Sequence, residues 1–438
     1  MIDDKTLREI NTCPKAKSIA EEIYIIKRRI KAFGNSLCFY LCRIFPIKKN
    51  LVSVCTFEGK GGFGCNPKYV VMELHKQDPN IKFVWFVNKD VIDKKEFPDY
   101  IKKVPNTLWS RAFWLSRSKV WIDNYRKPYG TVKRNGQYYL NVNHYTIGIK
   151  CTGLWRGKGF SKMAYLVSKN DSDMVDDLVI DSKWTEEVSP KGFVYTGNML
   201  NTGAPRCDVL YGDRTEYKEA FRKKHNIPLN SKVVMYAPTF REGAKDGKRF
   251  VFSEIWSIDF ERLLNNLEKK FGGDWFLCVR VHPQLAATFK EYKNEKLSGR
   301  IIDESQADDM YEILAGMDAY ITDYSSAIFE AGFAHIPSFI YADDIQEYAN
   351  DRGSLMWKIT NNSKDCIKNN TFITPEFNVV FPFAIATNNS ELVKIIFDFD
   401  ERRYDFSLDK FHGQVELIFG GNSSNTLAQA IIERCHNS

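Results

Sequence analysis

Short β-rich runs alternate with helix-length stretches along most of this chain, and the alternation starts anew once. In the first half, strands are predicted at residues 52–57, 82–87, 119–123, 138–142, 165–167 and 193–196. Beyond Pro205, strands are predicted at 232–237, 275–281, 300–303, 319–322 and 338–341. Apolar strands separated by helices are typical of parallel sheets covered on both faces. The sequence therefore predicts an α/β protein with two doubly wound, Rossmann-like domains that face each other across a cleft.

Length and composition fit this organisation. The chain has 438 residues, 44% hydrophobic and 27% charged, which excludes a disordered chain, a fibrous protein and a polytopic membrane protein. Its ten cysteines form no CxxC pair, so we expect reduced, mostly buried thiols in a cytosolic protein. We divide the chain into an N-terminal segment (1–50), a first domain (51–204) and a second domain (205–438). The last helix is a candidate to cross back to the first domain.

Positive charge is concentrated near the N-terminus. Residues 15–50 contain nine Lys or Arg residues against Glu21 and Glu22, whereas the net charge of the whole chain is only +7. The rest of the chain is therefore close to neutral. A general nucleic-acid binder needs a basic face on its folded body, so we expect no nucleic-acid partner.

The basic segment also has an amphipathic pattern. Isoleucines recur at helical spacing at positions 19, 23, 26 and 30, with basic residues between them, and Arg43 interrupts the longest apolar run. That run is too short to span a bilayer, and no signal-peptide cleavage site is visible. One interpretation is an amphipathic helical segment in the membrane interface. The other is a helix packed on the first domain with a solvated basic edge.

The sharpest candidate for a ligand site follows the predicted strand 319–322. Thr322 ends this strand, Asp323 follows, and a helix is predicted to begin near Ser325 and Ser326. The first N–H groups of a helix carry the positive end of its dipole and can bind phosphate. The sequence therefore predicts a phosphate or pyrophosphate site, although serine at a helix start is often only a cap.

Basic or imidazole side chains also follow other predicted strands of the second half: Arg241, His282 and Arg352. Each of them, taken alone, could belong to an ordinary turn. Because parallel strands end at the same edge of a sheet, however, we expect these residues and the two serines to converge on one ligand.

In the first half, His144 follows the strand 138–142 and precedes a turn with Gly148 and Lys150. An imidazole with a pKa of about 6.5 can accept a proton from an attacking hydroxyl near neutral pH. A lone histidine, however, is more often structural. The glycine-rich stretch 57–64 lacks the known nucleotide-binding spacings and is predicted to be a flexible cleft loop.

Asp171 and Asp173 form an Asp-x-Asp triplet, a pattern that can suggest a metal-dependent transferase. The triplet follows the predicted strand 165–167 and precedes a helical stretch, so helix capping is the preferred interpretation. The rest of the sequence offers no convincing set of metal ligands.

Together these segments resemble the CDP-glycerol:poly(glycerophosphate) glycerophosphotransferase family, the polyol-phosphate polymerases and primases of teichoic acids and capsules. The resemblance runs from about residue 52 to the C-terminus. It rests on 144–150, 202–208, 236–241, 282–283, 322–326 and 352–353. It implies a GT-B-like fold, peripheral association with the cytoplasmic face of the bacterial cell membrane, and a reaction that needs no metal or other cofactor.

The resemblance also implies roles for individual residues. His144 would be the base acting on the acceptor hydroxyl, and His282 would lie beside the donor phosphates. The residues expected to bind substrate are Gly148, Lys150, Thr239, Arg241, Thr322, Asp323, Ser325, Ser326, Glu330 and Arg352. The triplet Asn143-His144-Tyr145 departs from the family's Trp-His-Gly, and Tyr145 would crowd space that glycine leaves open.

The leading prediction is a transferase that uses CDP-glycerol or CDP-ribitol as donor. It would move glycerol phosphate or ribitol phosphate to a hydroxyl of a teichoic-acid or capsule-type acceptor, a polyol phosphate or glycan-lipid, and release CMP. Two alternatives stay open from the sequence. One is a GT-B glycosyltransferase that uses a nucleotide sugar, and the other is a membrane-bound assembly protein that binds a CDP-polyol with weakened turnover.

Overall fold

A computed structural model defines the fold. It describes residues 2–144, 147–239, 241–245, 248–252, 257–281, 297–345, 347–348, 355–357, 381–418 and 420–436, with the backbone alone for 241–245 and 248–252. The packing divides the chain into two compact units. Unit 1 contains residues 1–146, 151–208 and 416–438, and unit 2 contains 147–150 and 209–415. The short stretch 147–150 therefore packs with the second half of the sequence.

Unit 1 is built on a seven-stranded parallel sheet. Its strands are β1 (Lys48–Cys55), β2 (Lys82–Val87), β3 (Ile101–Pro105), β4 (Ser118–Asp123), β5 (Tyr138–Asn141), β6 (Asp177–Ile180) and β7 (Asn198–Asn201). They lie in the order β3-β2-β1-β4-β5-β6-β7, and each neighbouring pair is parallel. The chain thus winds outwards in both directions from β1 and β4. Ligands of such sheets bind beyond the carboxyl ends of the strands at this switch point.

Helices cover both faces of this sheet. They are α1 (Asp4–Asn11), α2 (Ile19–Leu41), α3 (Cys65–Gln77), α4 (Leu108–Arg117), α5 (Lys162–Ser172), α6 (Lys183–Phe193) and a C-terminal helix (Ser423–His436). The C-terminal helix packs on α3, where Leu427 and Ile431 join the buried cluster around Val70 and Leu74. The last helix of the chain therefore belongs to unit 1.

Helix α2 is capped at its N-terminus by Ser18, whose hydroxyl accepts a hydrogen bond from the Glu21 N–H at 3.1 Å. Its buried side chains are Ile25, Ala32 and Phe39. In the part of the chain that the structure describes, no helix is both long and apolar enough to cross a membrane.

Unit 2 contains a second parallel sheet, of six strands. These are β8 (Lys232–Tyr236), β11 (Trp275–Val279), β12 (Ile301–Asp303), β13 (Ala319–Thr322), β14 (Ser338–Tyr341) and β15 (Ala384–Ala386). Their order is β12-β11-β8-β13-β14-β15, with β8 and β13 at the switch point. Two more strands, β9 (Arg241–Lys245) and β10 (Lys248–Phe252), form an antiparallel hairpin.

The described helices of unit 2 are α7 (Thr215–Lys224), α8 (Phe260–Phe271), α9 (Tyr311–Ala315), α10 (Ala327–Phe333), α11 (Asn389–Phe397) and α12 (Glu401–Gln414). Helix α10 follows β13 directly, and all seven of its residues are buried. The start of α10 is thereby fixed relative to the carboxyl end of β13.

The two parallel sheets confirm the predicted α/β class, but two predicted strands are wrong. The stretch 165–167 lies inside α5, and 193–196 contains the end of α6, where Val194 adopts a left-handed conformation (φ 58°). Both stretches are apolar because Tyr165 and Val194 pack in one cluster with Ile10 and Phe160. Burial of a helix face therefore produced the pattern that suggested strands.

Cysteine chemistry follows the prediction. None of the nine cysteines that the structure describes forms a disulfide, and seven of them are buried. Burial raises the pKa of the thiols of Cys42 and Cys435, the latter to about 11. These buried thiols are therefore protonated and unreactive at neutral pH.

Candidate functional site

His144, the predicted base, lies in unit 1 just after β5. Its Nδ1 atom is 2.8 Å from the backbone oxygen of Asn124, which follows β4. A carbonyl oxygen only accepts hydrogen bonds, so Nδ1 carries the hydrogen and the lone pair of the neutral ring is at Nε2. Because β4 and β5 are neighbours in the sheet, the fold itself selects this tautomer. The ring is half-buried, and Nε2 is the ring atom that can accept a proton.

Buried amides fix the backbone that leads into His144. Asn143 has a left-handed conformation (φ 55°), and its Oδ1 accepts the His144 N–H at 2.7 Å. Asn66, in the first turn of α3, donates from Nδ2 to the carbonyl oxygens of Val142 (2.7 Å) and Asn143 (3.0 Å). Asn66 is only 1% exposed, so water cannot replace these bonds. Asn66 and Asn143 thus hold the backbone that carries the imidazole.

Arg206 supports the same loop from the stretch 202–208. Its Nη1 atom donates to the carbonyl oxygen of His144 at 2.6 Å and lies 3.1 Å from Cys65 Sγ. Its backbone N–H donates to Asn66 Oδ1 at 3.0 Å. The side chain is 2% exposed. Arg206 is therefore a positioning residue for His144.

The glycine-rich stretch 57–64 begins as an anchored turn, which corrects the prediction of a flexible loop. The Phe57 N–H donates to Asn124 Oδ1 at 2.9 Å, and Asn106 donates to the Glu58 carbonyl at 2.7 Å. The Phe57 ring packs edge-on against the His144 ring, with 5.7 Å between centroids. These contacts restrict the imidazole further.

Asp171 of the Asp-x-Asp triplet lies inside α5, because the helix runs through the stretch that was predicted to be a strand. Its Oδ1 accepts hydrogen bonds from the Lys127 N–H (2.9 Å) and the Tyr139 hydroxyl (3.2 Å). Burial raises the pKa of this carboxyl to about 7. Asp173 is the C-cap of α5 and pairs with Lys169. Asp173 therefore ends α5, and Asp171 holds the loop that follows β4.

That loop, which follows β4, also contains a buried ion pair. Lys127 Nζ is 2.6 Å from Asp123 Oδ2, and both side chains are almost fully buried. Burial raises the pKa of Asp123, against the opposing effect of Lys127. Removing either partner would leave an unpaired buried charge, which is costly. The pair therefore stabilises the turn that presents the Asn124 carbonyl to His144.

In unit 2, three predicted site residues form hydrogen bonds between the loop after β8 and the end of β13. Thr322 donates from its hydroxyl to the Ala237 carbonyl at 2.7 Å. Asp323 Oδ1 accepts hydrogen bonds from the N–H (2.8 Å) and the hydroxyl (2.6 Å) of Thr239. All three side chains are buried. They tie the loop after β8 to the loop after β13 and so determine the shape of this sheet edge.

The serines lie at the start of α10, as predicted. Both are partly exposed, and Ser325 Oγ accepts a hydrogen bond from the Ala327 N–H at 3.3 Å. Glu330 lies one turn further along, is fully buried, and accepts a hydrogen bond from the Tyr311 hydroxyl. A contact between Glu330 and a ribose would require that bond to open.

Gly148 and Lys150 pack in unit 2 against residues 355–357. Lys150 forms an antiparallel bridge with Leu355, and Trp357 donates from Nε1 to the Gly148 carbonyl at 2.9 Å. The structure thus places Lys150 in the same unit as the serines. Of the remaining predicted residues, Arg241 is the first residue of β9, where only the backbone is described. His282 and Arg352 lie outside the described residues.

Several residues that hold this site could not be predicted from the sequence. Asn66, Asn124 and Tyr311 belong to no recognisable pattern, because their partners are distant in the chain. Arg206 lay in a stretch that carried the family resemblance, so the resemblance was the available signal for it.

The chain belongs to the CDP-Glycerol:Poly(glycerophosphate) glycerophosphotransferase family, since a sequence model of that family matches residues 37–362. The matched region includes His144, Arg206 and the serines that precede α10. This match confirms the resemblance that the sequence motifs suggested.

Individual relatives agree with this assignment. The chain is 27% identical over 385 residues to a teichoic acid poly(glycerol phosphate) polymerase of Staphylococcus epidermidis, covering 86% of this chain but only 50% of that protein. It is 26% identical over 400 residues to a teichoic acid glycerol-phosphate transferase of Staphylococcus aureus, covering 88% and 93%. A solved structure of the wall teichoic acid polymerase TagF matches with a TM-score of 0.74 at 25% identity, covering 100% and 99%. The fold is thus shared with a polymerase of teichoic acid.

Proposed function

We propose that this chain transfers glycerol phosphate or ribitol phosphate from CDP-glycerol or CDP-ribitol to a hydroxyl group of a teichoic-acid or capsule-type acceptor. Family membership supports the donor class, and the named activities of the relatives support the acceptor class. The observation that carries the catalytic part is the hydrogen bond between His144 Nδ1 and the Asn124 carbonyl, because it leaves the lone pair of the ring at Nε2.

The proposed step is a single displacement at phosphorus. His144 Nε2 takes the proton of the acceptor hydroxyl while that oxygen attacks the β-phosphorus of the donor. The bond from this phosphorus to the bridging oxygen breaks, and CMP leaves with the electron pair. Such reactions depend on in-line positioning and on neutralising charge, and they need little covalent help from the protein.

The donor diphosphate is assigned to unit 2. The residues proposed to contact it are Lys150, Arg241, His282, Ser325, Ser326 and Arg352, with Gly148 beside them and Glu330 at the ribose. Thr239, Thr322 and Asp323 act indirectly in this proposal, since Thr239 donates to Asp323 and Thr322 donates to the Ala237 carbonyl. They would keep the loops after β8 and β13 in the shape that the donor requires.

For the whole chain we propose a GT-B-like arrangement, in which the domains 51–204 and 205–438 face a common cleft. His144 would then meet a donor held by the second domain. The displacement needs no catalytic metal in this proposal, and no nucleic-acid partner is expected. Tyr145 stands where the family has a glycine next to this histidine. The proposal therefore includes acceptors other than glycerol phosphate.

The test is release of CMP from CDP-glycerol and CDP-ribitol with a panel of polyol-phosphate acceptors. His144→Ala should lower the turnover number by about 100- to 10,000-fold, the usual contribution of a general base. Binding of CDP-glycerol, measured by calorimetry, should be unchanged, because His144 is assigned to the acceptor side. His436→Ala is the matched control, since His436 forms an exposed pair with Asp78 at 3.0 Å.

Full turnover of His144→Ala would refute the role of His144 as the base. Release of UDP or GDP from a nucleotide sugar would instead identify a glycosyltransferase. Binding of CDP-glycerol without turnover on any acceptor would identify a binding protein of glycan assembly.

We further propose that α2 attaches the protein to the cytoplasmic face of the bacterial cell membrane as a peripheral protein. Its exposed apolar residues follow one another at spacings of three and four: Ile19, Ile23, Ile26, Ile30, Phe33 and Leu37. Exposed Lys27, Arg29 and Lys31 flank this stripe. An interfacial helix combines such an apolar stripe with roughly 1 kcal/mol per basic residue near anionic lipid.

Sedimentation with anionic vesicles tests this attachment. Ile30→Ser combined with Phe33→Ser removes two side chains that are 67% and 76% exposed and should weaken partitioning about 100-fold. The control pair is Leu229→Ser with Phe406→Ser, two exposed apolar side chains of unit 2. Equal sedimentation of both pairs, or dimer formation without lipid binding, would contradict the proposal.

A further inference from the structure

A second group of ionisable side chains lies in unit 2, just beyond the C-terminal end of α10. His335, Asp409 and His412 each offer one ligand atom, and these three atoms lie within 4.8 Å of one another. His412 is buried, His335 is half-buried and Asp409 is exposed. The group is separated from the serines by the length of α10, and the proposed transfer reaction does not use it.

Two elements bring these side chains together. Asp405, Asp409 and His412 are spaced by four and three residues on α12, so they share one face of that helix. His335 lies in the turn between α10 and β14 with a left-handed backbone (φ 51°). The Tyr404 hydroxyl donates to the Ile336 carbonyl at 2.8 Å and fastens α12 to this turn. The arrangement therefore depends on buried contacts of the fold.

Hydrogen bonding orients the His335 ring toward Asp409. Its Nδ1 is 2.7 Å from Asp405 Oδ1, and a carboxylate accepts, so the lone pair of the neutral ring is at Nε2. Nε2 faces Asp409 Oδ1 at 3.6 Å, which is too long for a hydrogen bond. Ligand atoms about 2.0–2.1 Å from a tetrahedral zinc ion are about 3.3–3.4 Å apart. Two acceptors thus face each other at nearly the separation that a shared metal ion would produce.

We propose that His335, Asp409 and His412 bind a divalent transition-metal ion of the zinc class. Asp405 is the outer partner that orients His335, as carboxylates commonly do for metal-bound histidine. Two imidazoles and one carboxylate suit zinc better than magnesium or calcium, which prefer oxygen ligands. Solvent supplies the fourth ligand at the exposed side of Asp409. The ion connects α12 to the turn after α10 and has a structural role, apart from the transfer reaction.

A metal-free explanation exists for part of this geometry. A protonated His335 between Asp405 and Asp409 would account for those three side chains as an ion-pair cluster. It does not involve His412, which packs against Phe333 and Phe411 and has a ligand atom within 4.8 Å of the other two. The two explanations predict different affinities for zinc, so a binding experiment can distinguish them.

Zinc binding to the full-length chain is the direct test. The protein carries Cys13→Ser, because Cys13 is the exposed thiol among the described cysteines and could bind zinc by itself. After treatment with a chelator, it is dialysed against micromolar zinc, and bound metal is counted by mass spectrometry. We expect one equivalent, and a melting temperature about 5–10 °C higher at a hundredfold excess over the dissociation constant.

Three variants locate the site. His335→Asn keeps a residue that tolerates the left-handed backbone, and Asp409→Ala changes an exposed helix position, so both should fold. Each should lose the bound equivalent and the thermal shift. Asp405→Asn should weaken binding about 10- to 100-fold. His436→Ala, which removes an exposed histidine in unit 1, should behave like the parent.

Zinc that binds equally to the parent and to His335→Asn and Asp409→Ala would be adventitious, and the proposal would be wrong. Failure of the parent to bind zinc would leave the ion-pair cluster as the explanation. Loss of zinc with the expected shift would establish the site whether or not the chain turns over CDP-glycerol. The outcome is thus independent of the proposed function.

Discussion

Asn66→Asp keeps the size of the side chain but changes its hydrogen-bonding groups. We expect it to lower the free energy of unfolding of unit 1 and to slow the proposed reaction. Asn66 donates to the carbonyl oxygens of Val142 and Asn143, the two residues before His144. It also accepts the backbone N–H of Arg206. A carboxylate at this position can still accept from Arg206, but it has no hydrogen to give to the two carbonyl oxygens.

The magnitude follows from the burial of this amide. A buried acceptor that loses its donor costs about 1–3 kcal/mol, so two of them cost about 2–6 kcal/mol in the free energy of unfolding. Repulsion between the carboxylate and the carbonyl oxygens would push the His144 loop away. A displacement of about 1 Å at a reacting group can lower the rate about 100-fold. We therefore expect a loss of both stability and turnover.

Urea unfolding measures the first effect, and CMP release at saturating donor measures the second. Asn80→Asp, the same chemical change on an exposed turn, should alter the free energy of unfolding by less than about 0.5 kcal/mol. If Asn66→Asp unfolded at the urea midpoint of the parent and kept its turnover, Asn66 would not hold the His144 loop as described.

Three further substitutions probe other buried contacts. Thr239→Val removes the hydroxyl donor of Asp323 and should cost about 1–3 kcal/mol in urea unfolding. Tyr311→Phe removes the hydroxyl that donates to Glu330 and should lower the melting temperature, because a buried carboxyl loses a partner. Asp171→Asn should gain stability over the parent as the pH rises from about 4 to 7, by a few kcal/mol in urea unfolding. The raised pKa means that folded Asp171 holds its proton in this range while the unfolded chain does not, so the parent loses stability.

Each of these predictions has a matched comparison. Thr215→Val removes an exposed hydroxyl that donates to Asp213 at 2.7 Å and should have little effect. Asp173→Asn changes the nearby exposed carboxyl at the end of α5 and is the matched variant for Asp171→Asn. Equal effects at Thr239 and Thr215, or a pH-independent difference for Asp171→Asn, would contradict the burial argument. For Tyr311→Phe, an unchanged melting temperature would show that Glu330 does not depend on that hydroxyl.

The α/β class could be predicted because apolar strands of a parallel sheet have a strong local pattern. Two of the strands that were missed are short and polar at their edges: β6 begins with Asp177, and β7 has Asn198 and Asn201 at its ends. The wrong strand at 165–167 shows the opposite error. Its apolar side chains pack against other helices, and a three-residue run has no period by which helix and strand could be told apart.

The location of His144 could be predicted because a polar residue after a buried strand lies at the edge of the sheet. Its partners could not. The Asn124 carbonyl reaches His144 because β4 and β5 are neighbours, and Asn66 reaches the same loop from α3. Strand order depends on the whole fold and cannot be predicted from any single segment of the sequence. The same holds for His335 and His412, which meet only because α12 packs against the turn after α10.

Polar residues at the ends of strands fall into two kinds that look alike in sequence. Thr239, Thr322 and Asp323 are buried and hydrogen-bonded within unit 2, whereas His144 and Ser325 remain partly exposed. A buried polar group needs a hydrogen-bond partner within the protein to offset the free-energy cost of its desolvation. It is therefore already bound before any substrate arrives. Substitutions of the first kind should therefore appear first as a loss of stability. Substitutions of the second kind should change kinetics while leaving the free energy of unfolding nearly unchanged, and this difference separates the residues that shape the site from those that act in it.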